Sequence, residues 1–508
     1  MTGHKNKGFV YLVGAGPGRA DLITVRGADV LKAADCVIYD KLANPALLKF
    51  ARPDAEVIHV PKRTGGASVT QEEINKLLVE KASAGQTVVR LKGGDPCIFG
   101  RAGEELAVLN EADIGFEIVP GVTAGIAVSA YAGILLTDRD YSSEVVFVTG
   151  REAPGKKESS IDWDLLARFS GTIVFYMGVG NLANIAERLM QNGMSSNTPA
   201  ALIADATFPT QKVAKATLGD ISGKCKQEEI EPPAIIIIGA AADSNEELNW
   251  FMQQPLFGKN IVITRDAAGN ADFAAKIIRR GGNPIEFATI KIKSLTQTNE
   301  FLRALSQIAE YDWIIFTSGN GVALFFETLQ SLGRDARVFG SAKIGAIGSQ
   351  TAAKLARFGI KSDFVPSVFT SKELGRQLIS CTNLRSKKVL LLRSKLASSE
   401  LVELLNEAEA EVQDVAVYTV AEEKSESSRL VEGINKGTID WLTFASPSSV
   451  NVFFEQIGSD LVNSGDVKVA SVGPVTSERL KTLRVRVDVT ATNHTIDGLL
   501  DAIEKTCK

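Results

Sequence analysis

The chain has 508 residues, 45% hydrophobic and 23% charged, an ordinary globular composition with room for several domains. A net charge of −4 gives no overall attraction for nucleic acid or an anionic membrane, so any anionic ligand must be held by a local basic cluster. The five cysteines are scattered and never form a C-x-x-C pair, and only three histidines exist; this argues against a zinc site and His-based triads, and fits free thiols in a reducing cytoplasm. Met1–Lys7 is polar and basic, and the apolar run after it is soon broken by glycine, unlike a secretory signal. The longest apolar run, Pro233–Ala242, is half of what a membrane helix needs.

In chain order, Phe9–Val13 is a strand followed by Gly14-Ala15-Gly16-Pro17-Gly18-Arg19, a helix over about Thr24–Ala34 and a strand Cys36–Asp40 that ends on a carboxylate. A dinucleotide-binding fold is the obvious alternative. Its G-x-G-x-x-G fingerprint needs glycine where Arg19 stands, and Pro17 stiffens the loop, although Asp40 suits the ribose-binding acid. Val57–Val60 is a short strand running into Pro61-Lys62-Arg63, and Thr70-Gln71-Glu72-Glu73 is a capping box that starts a helix reaching about Ala84. Val89–Arg101 then opens as an apolar strand and breaks at Gly93-Gly94-Asp95-Pro96. Two glycines let a ligand approach the backbone without meeting a Cβ, and such a turn at the carboxyl edge of a parallel sheet is where α/β proteins bind small ligands. The plain alternative is a tight surface turn.

Arg101–Ala112 is helical, Phe116–Val119 is a strand, and Pro120-Gly121-Val122-Thr123-Ala124 leads into a helix of small residues. After Leu136 the pattern restarts: strand Glu144–Thr149, a polar and basic loop Arg151–Ser160, strand Thr172–Met177, helix Asn181–Asn192, and strands Ala200–Ala204, Lys212–Ala216 and Ala234–Ile238 close a second lobe. Asp243–Lys259 has no apolar period and reads as a linker.

Beyond it lies an internal repeat. Asp312-Trp313-Ile314-Ile315-Phe316-Thr317-Ser318 recurs 128 positions on as Asp440-Trp441-Leu442-Thr443-Phe444-Ala445-Ser446, and Ile261–Arg265 matches Val389–Arg393 at the same offset. Ile344–Gly348 matches Val469–Gly473 at an offset of 125. Anchors in register indicate a duplicated α/β unit and two similar lobes with a cleft between them.

Six motifs of the first half, Val-Gly-Ala-Gly-Pro-Gly (13–18), Val-Ile-Tyr-Asp (37–40), Lys62-Arg63, the Val89–Arg101 stretch, Pro-Gly-Val-Thr-Ala (120–124) and Phe-Tyr-Met-Gly (175–178), carry a resemblance from about Gly8 to Ala242. This half resembles the uroporphyrinogen-III C-methyltransferases of the tetrapyrrole methylase family. The second half, through its repeat, Phe-Thr-Ser-Gly-Asn-Gly (316–321) and Val-Tyr-Thr (417–419), is similar to uroporphyrinogen-III synthases. The expected architecture is α/β throughout: a two-lobed methylase domain over residues 1–245 (lobes about 8–122 and 123–242), a linker 246–258, and a bilobal synthase domain 259–508.

The resemblance implies methylation of uroporphyrinogen III at carbons 2 and 7 to precorrin-2, and cyclisation of hydroxymethylbilane with inversion of the last ring. It implies S-adenosyl-L-methionine as donor and S-adenosyl-L-homocysteine as product, held by Pro17, Gly93, Gly94, Asp95, Ile98, Thr123, Ala124, Met177 and Ala206. Plain core packing is the alternative for Ile98 and Met177. Asp40 is the implied base and Lys62 the implied proton donor or ring-positioning cation; a strand-end cap and a solvated surface lysine are the bland alternatives. Arg63, Arg139 and Arg151, with Lys156 and Lys157, are candidates for the substrate carboxylates. In the synthase half the candidates are Tyr418 for loss of the hydroxyl, with a buried strand tyrosine as its alternative, and Thr317, Ser318, Asn320, Ser349 and Ser446 at strand-to-helix turns, where helix N-termini receive carboxylates.

The implied partners are small tetrapyrroles, with no metal, nucleic acid or membrane, in a cytoplasmic homodimer formed through the methyltransferase domain. Four positions depart from the methylase pattern: Arg19 replaces an acid, Pro61 a glycine, Asp138 a histidine, and Ala206 a frequent glycine.

Overall fold

Short apolar runs in the first quarter of the chain make five strands that all pair in parallel: β1 (Phe9–Gly14), β2 (Cys36–Asp40), β3 (Glu56–Val60), β4 (Thr87–Lys92) and β5 (Gly115–Val119), in the order β3-β2-β4-β1-β5. They are seen in a computed structural model that describes residues 7–60, 69–152, 159–243, 246–265, 267–287, 290–422 and 427–507. Helices cover both faces. The helix α1 (Val25–Ala33) packs over Val13, Val37, Val89 and Leu91, while α2 (Gln71–Ser83) and α3 (Ala102–Glu111) cover Leu12, Ile38 and Val88. The capping box at α2 forms as expected, Thr70 accepting from Glu73 N and Glu73 from Thr70 N. From β1 the chain crosses to β2, and from β4 it crosses the other way to β5. The crevice between the ends of β1 and β4 is therefore a switch point of the sheet, where ligands bind.

The helix α4 (Ala124–Ala132) packs on a second sheet, contributing Val128 and Ala132 to a core with Val174, Ile203 and Ile237. That sheet has the order β6-β7-β10-β8-β9, formed by β6 (Val145–Thr149), β7 (Thr172–Tyr176), β8 (Pro199–Ala204), β9 (Lys212–Thr217) and β10 (Ala234–Ile238). Only β6 and β7 run parallel; β10 is antiparallel to β7 and β8, and β9 to β8. The helices α5 (Trp163–Ala167), α6 (Leu182–Gln191) and α7 (Ile221–Gln227) complete this lobe.

The chain divides into two compact units, Met1–Ile261 with Ala275–Pro284 and Glu504–Lys508, and Val262–Ala274 with Ile285–Ile503. The stretch after residue 245 belongs to the first unit. Phe251 and Leu256 are buried, and Trp250 Nε1 donates to Ala130 O at 2.9 Å.

Beyond residue 259, β11 (Asn260–Ile263), β12 (Asn283–Glu286), β18 (Trp441–Phe444), β19 (Lys468–Ser471) and β20 (Val489–Thr490) form one sheet, ordered β12-β11-β18-β19-β20. The other sheet, β13-β17-β16-β14-β15, contains β13 (Ile290–Ser294), β14 (Trp313–Phe316), β15 (Lys343–Ala346), β16 (Lys388–Ser394) and β17 (Glu411–Glu422). The repeat survives in detail. Lys343 lies over Trp313 at 5.6 Å and Lys468 over Trp441 at 5.5 Å. Asp363 and Asp488 each accept from the strand N–H of Ile344 and Val469 at 2.7 Å. Neither sheet is one contiguous copy, however. β14 pairs with β16 of the second copy, and the Thr264 and Thr443 hydroxyls tie β11 to β18 by donating to Thr443 O and Val262 O.

Candidate functional site

Three backbone loops meet at the switch point, and glycine allows the approach. A Cβ on Gly14 would lie 2.6 Å from Gly121 Cα, and one on Gly121 would lie 2.3 Å from Gly94 O. Gly94 has φ +69° and exchanges backbone hydrogen bonds with Gly16. Gly93 backs onto Leu42, whose Cβ would be 2.6 Å from an added methyl. Asp95 braces the crossing from within, its carboxylate accepting from Cys97 N at 2.8 Å and Gly121 N at 3.0 Å.

Beside this crossing opens a cavity of about 1080 Å³, whose wall includes Pro17, Asp40, Ala124, Arg151, Met177 and Ala206. Residues from both lobes thus meet there. The expected cofactor contacts divide in two: Pro17, Ala124, Met177 and Ala206 form the wall, whereas Gly93, Gly94, Asp95 and Thr123 form the loops behind it. Met177 is 51% exposed at φ +56°, which argues against its being core packing. Phe99, Arg101, Asp205 and Thr207 also have left-handed backbones, and strain of this kind gathers at functional sites. Ile98 is 36% exposed on the turn before Phe99. A second cavity of about 870 Å³ shares Arg151 and Met177 with the first and adds Phe99, Arg101 and Glu104.

Asp40 is held by a group that sequence motifs do not reveal. Arg90 Nη2 donates to Asp40 Oδ1 at 2.6 Å, and Arg90 Nε to Glu105 Oε1 at 3.0 Å. Lys92 Nζ bonds Glu105 Oε2 at 2.7 Å, and Gln71 Nε2 reaches Glu105 Oε1 at 3.3 Å. Burial opposes the charge on Glu105, yet the two cations outweigh it and hold that carboxyl below the usual glutamate range. Burial lowers Lys92, and with a repelling Arg90 it outweighs the attraction of Glu105 and Asp40, so the balance differs between the partners. The available signal was two cations two positions apart on an apolar strand. Such charges demand buried carboxylates.

Tyr176 was also missed as a site residue. Its hydroxyl bonds Thr123 Oγ1 at 2.8 Å and accepts from Gly125 N at 2.7 Å, joining the end of β7 to the start of α4. Burial raises its pKa above the usual tyrosine value. Arg19 is engaged by Asp21 in a bidentate pair and lies 5.8 Å over the Tyr131 ring. Arg139 is exposed in the turn after Leu136 and is not part of either cavity wall. Pro61, Lys62, Arg63, Lys156 and Lys157 lie outside the described residues.

In the second unit, Ser318 and Ser446 cap equivalent helices, accepting from Gly321 N at 3.0 Å and Ser449 N at 3.2 Å. Ser349 opens the helix Ser349–Ala356, and Thr317 N donates to Leu392 O. Asn320 is in the first turn of the helix Gly319–Ser331. Tyr418 is 7% exposed on β17, and its ring lies 4.0 Å from where a Cβ on Gly321 would stand, beside the turn carrying Ser318 and Asn320. Among the described residues, no cluster of three His, Cys, Asp or Glu side chains could hold a metal, and no helix is long and apolar enough to cross a membrane.

Comparison with known proteins decides the family. The tetrapyrrole (corrin/porphyrin) methylase family matches residues 10–222, and the uroporphyrinogen-III synthase HemD family matches residues 271–501. A porphyrin biosynthesis protein HemD of Ruminiclostridium josui is 38% identical over 98% of this chain and 97% of its own length. The chain belongs to the family of tetrapyrrole methylases fused to a uroporphyrinogen-III synthase. A uroporphyrinogen-III C-methyltransferase of Bacillus subtilis is 40% identical over 69% of this chain and 72% of that protein. An S-adenosyl-L-methionine-dependent uroporphyrinogen III methyltransferase of Methanosarcina barkeri is 47% identical over 46% of this chain and 92% of that protein. Both halves of this fused methylase–synthase are therefore enzymes of tetrapyrrole biosynthesis, and S-adenosylmethionine is its methyl donor. The cavity fits that donor. Its walls are largely apolar, with Val128, Ile203 and Ile235 beside Ala124 and Ala206, and its volume slightly exceeds the upper end of the usual small-molecule range, about 300–1000 Å³.

Proposed function

We propose that the first unit methylates uroporphyrinogen III at carbons 2 and 7 to give precorrin-2. The observation carrying this is the convergence of Asp40 with Pro17, Ala124, Met177 and Ala206 on one cavity. S-adenosylmethionine, when bound, supplies an electrophilic methyl group on a sulfonium. The chain's part is alignment, since an in-line attack by a pyrrole carbon gains most from fixed geometry. Each methylation leaves the pyrrole positively charged, and loss of a proton restores neutrality. Asp40 is the acceptor, and Lys62 is the proton donor or ring-positioning cation. Arg63, Arg139 and Arg151 bind substrate carboxylates, and the position of Arg151 in the wall shared by both cavities supports its part.

The second unit closes hydroxymethylbilane to uroporphyrinogen III with inversion of ring D. Tyr418 assists departure of the hydroxyl as water, and Thr317, Ser318, Asn320, Ser349 and Ser446 seat carboxylates at helix N-termini. The methyltransferase domain spans residues 1–245 and the synthase domain 259–508, joined by 246–258. The protein acts in the cytoplasm as a homodimer formed through the methyltransferase domain.

Incubating the whole chain with hydroxymethylbilane and labelled S-adenosylmethionine tests this. The expected product is the type III isomer carrying two labelled methyl groups. Formation of only the type I isomer rejects the synthase assignment, and an unlabelled type III product rejects the methylase assignment. Asp40→Asn should impair methylation and leave cyclisation intact.

A further inference from the structure

Arg90, Lys92 and Glu105 are each at least 98% buried, and they join Asp40 in one chain of ion pairs. The four side chains carry two positive and two negative charges, so the network is internally balanced. Each member is placed by regular structure. Arg90 and Lys92 share one face of β4, Glu105 comes down from α3, and Gln71 of α2 closes the remaining side of Glu105. Arg90 Nη1 is further placed against the carbonyls of Ile38 and Leu91, both at 3.4 Å, so the guanidinium is fixed on every side.

Such a network is a poor way to stabilise a sheet. Buried ion pairs lose much of their attraction to desolvation, and well-packed apolar side chains of similar volume often do as well or better. The neighbours Val88, Val89 and Leu91 show that this strand packs apolar residues readily. What the network supplies is geometry, and it supplies it at one end. Only Asp40 is open, with a side-chain exposure of 22%, and Asp40 stands in the cavity wall.

We propose that Arg90, backed by Glu105 and Lys92, is a positioning group for methyl transfer, holding the Asp40 carboxylate in one orientation toward the reacting pyrrole. This rests on Asp40 being the proton acceptor of the methylation. Glu105 fixes the guanidinium plane by taking its Nε–H, and Lys92, by pairing with Glu105, leaves more of the Arg90 charge to face Asp40. Arg90 itself touches neither substrate nor donor. A lysine cannot replace it, because one ammonium does not span Asp40 and Glu105 with fixed geometry.

The test uses the full-length protein and four forms: wild type, Asp40→Asn, Arg90→Met and the double variant. Methylation kcat and KM for uroporphyrinogen III are measured with calorimetric S-adenosylmethionine affinity and a melting curve of each form. Arg90→Met is expected to lose about 100-fold in kcat, the scale of a lost alignment. KM and donor affinity are expected to stay within about threefold of wild type, since neither ligand meets Arg90. The double variant is expected to be no slower than Asp40→Asn alone, because Arg90 acts only through that carboxylate.

Losses that multiply in the double variant would overturn the proposal, as would a raised KM with kcat intact. An Asp40→Asn enzyme with wild-type kcat rejects the acceptor assignment itself, and the proposal with it. An impaired Asp40→Asn beside a fully active Arg90→Met rejects the positioning chain alone. If Arg90→Met does not melt cooperatively, Glu105→Gln keeps Arg90 in place and is read by the same split. It should lower kcat without raising KM, and an unchanged kcat overturns the proposal.

Discussion

Gly121→Ala isolates the crossing of the three loops. The added methyl would stand 2.3 Å from Gly94 O and 2.7 Å from Gly14 Cα. Ordinary carbon contacts need about 3.5 Å, so the loops must part by about 1 Å. They are backbone atoms and cannot rotate away. Gly14 is followed by the bond from Ala15 N to Lys92 O, and Gly94 is pinned by its bond to Gly16 O, each at 2.7 Å. Forced overpacking of this kind costs about 1–3 kcal/mol. Displacing Gly121 also weakens its bond to the Asp95 carboxylate, and hydrogen bonds to charged groups contribute about 1.5–3 kcal/mol. A loss of about 3 kcal/mol is therefore expected. Ala124, three residues on, lies in the cavity wall, so donor affinity should fall at least about tenfold, the equivalent of 1.4 kcal/mol. The control is Gly103→Ala, where an added methyl meets nothing within 4 Å on the exposed side of α3. Helix propensity there favours alanine by up to about 1 kcal/mol. Urea denaturation and calorimetric titration with S-adenosylmethionine read both variants. Equal stability of the two variants, or wild-type donor affinity in Gly121→Ala, would refute the reasoning.

Three other outcomes follow from buried groups. Tyr176→Phe strips the partner from Gly125 N and Thr123, and should cost about 1–3 kcal/mol in urea denaturation; an unchanged midpoint contradicts the tie between β7 and α4. Burial pushes the Cys36 thiol up to about 11, so at neutral pH an alkylating reagent should modify exposed Cys97 and Cys381 first and reach Cys36 and buried Cys225 only on unfolding. Peptide mass analysis checks this, and early labelling of Cys36 counts against it. Glu105 is depressed in the folded state, so its contribution to stability is present above the ordinary glutamate range and is lost as pH falls through its folded value. Glu105→Gln should melt below wild type at pH 7, with the gap narrowing as pH falls below the ordinary glutamate range and through the lower folded value; a gap independent of pH sinks that account.

Features recorded within a few residues of sequence were legible. Cys36–Asp40 is a strand as expected, the box at Thr70 and Glu73 caps its helix, and the duplicated Trp-centred strands recur as β14 and β18. The glycines at 14, 94 and 121 were conspicuous because close backbone approach excludes every other residue. Strand direction in the second lobe was not readable, since β7, β10 and β8 are joined by long segments whose apolar pattern is the same for either direction. Nor was the exchange of strands between the two copies in the second unit, because β11 and β16 carry equivalent sequences and either partner satisfies their pattern.

The unread parts of the site share one physical origin. Tyr176 is 53 residues from Thr123 and Arg90 is 50 from Asp40, so neither pair leaves a local trace. The stretch Val89–Lys92 nevertheless held a sign of its own partners. A strand buried on both faces is read as an unbroken apolar run, and this one is interrupted by Arg90 and Lys92 on a single face. Charges so placed require carboxylates from what borders that face, here the end of the neighbouring strand β2 for Asp40 and the covering helix α3 for Glu105. Glu105 lies on α3 and is buried there, whereas its neighbour Glu104 points outward to Arg101. The break in apolar pattern thus marks both a packing partner and the one end of the network that opens on chemistry, which is why Arg90 rather than Lys92 is the residue whose loss should slow methyl transfer most.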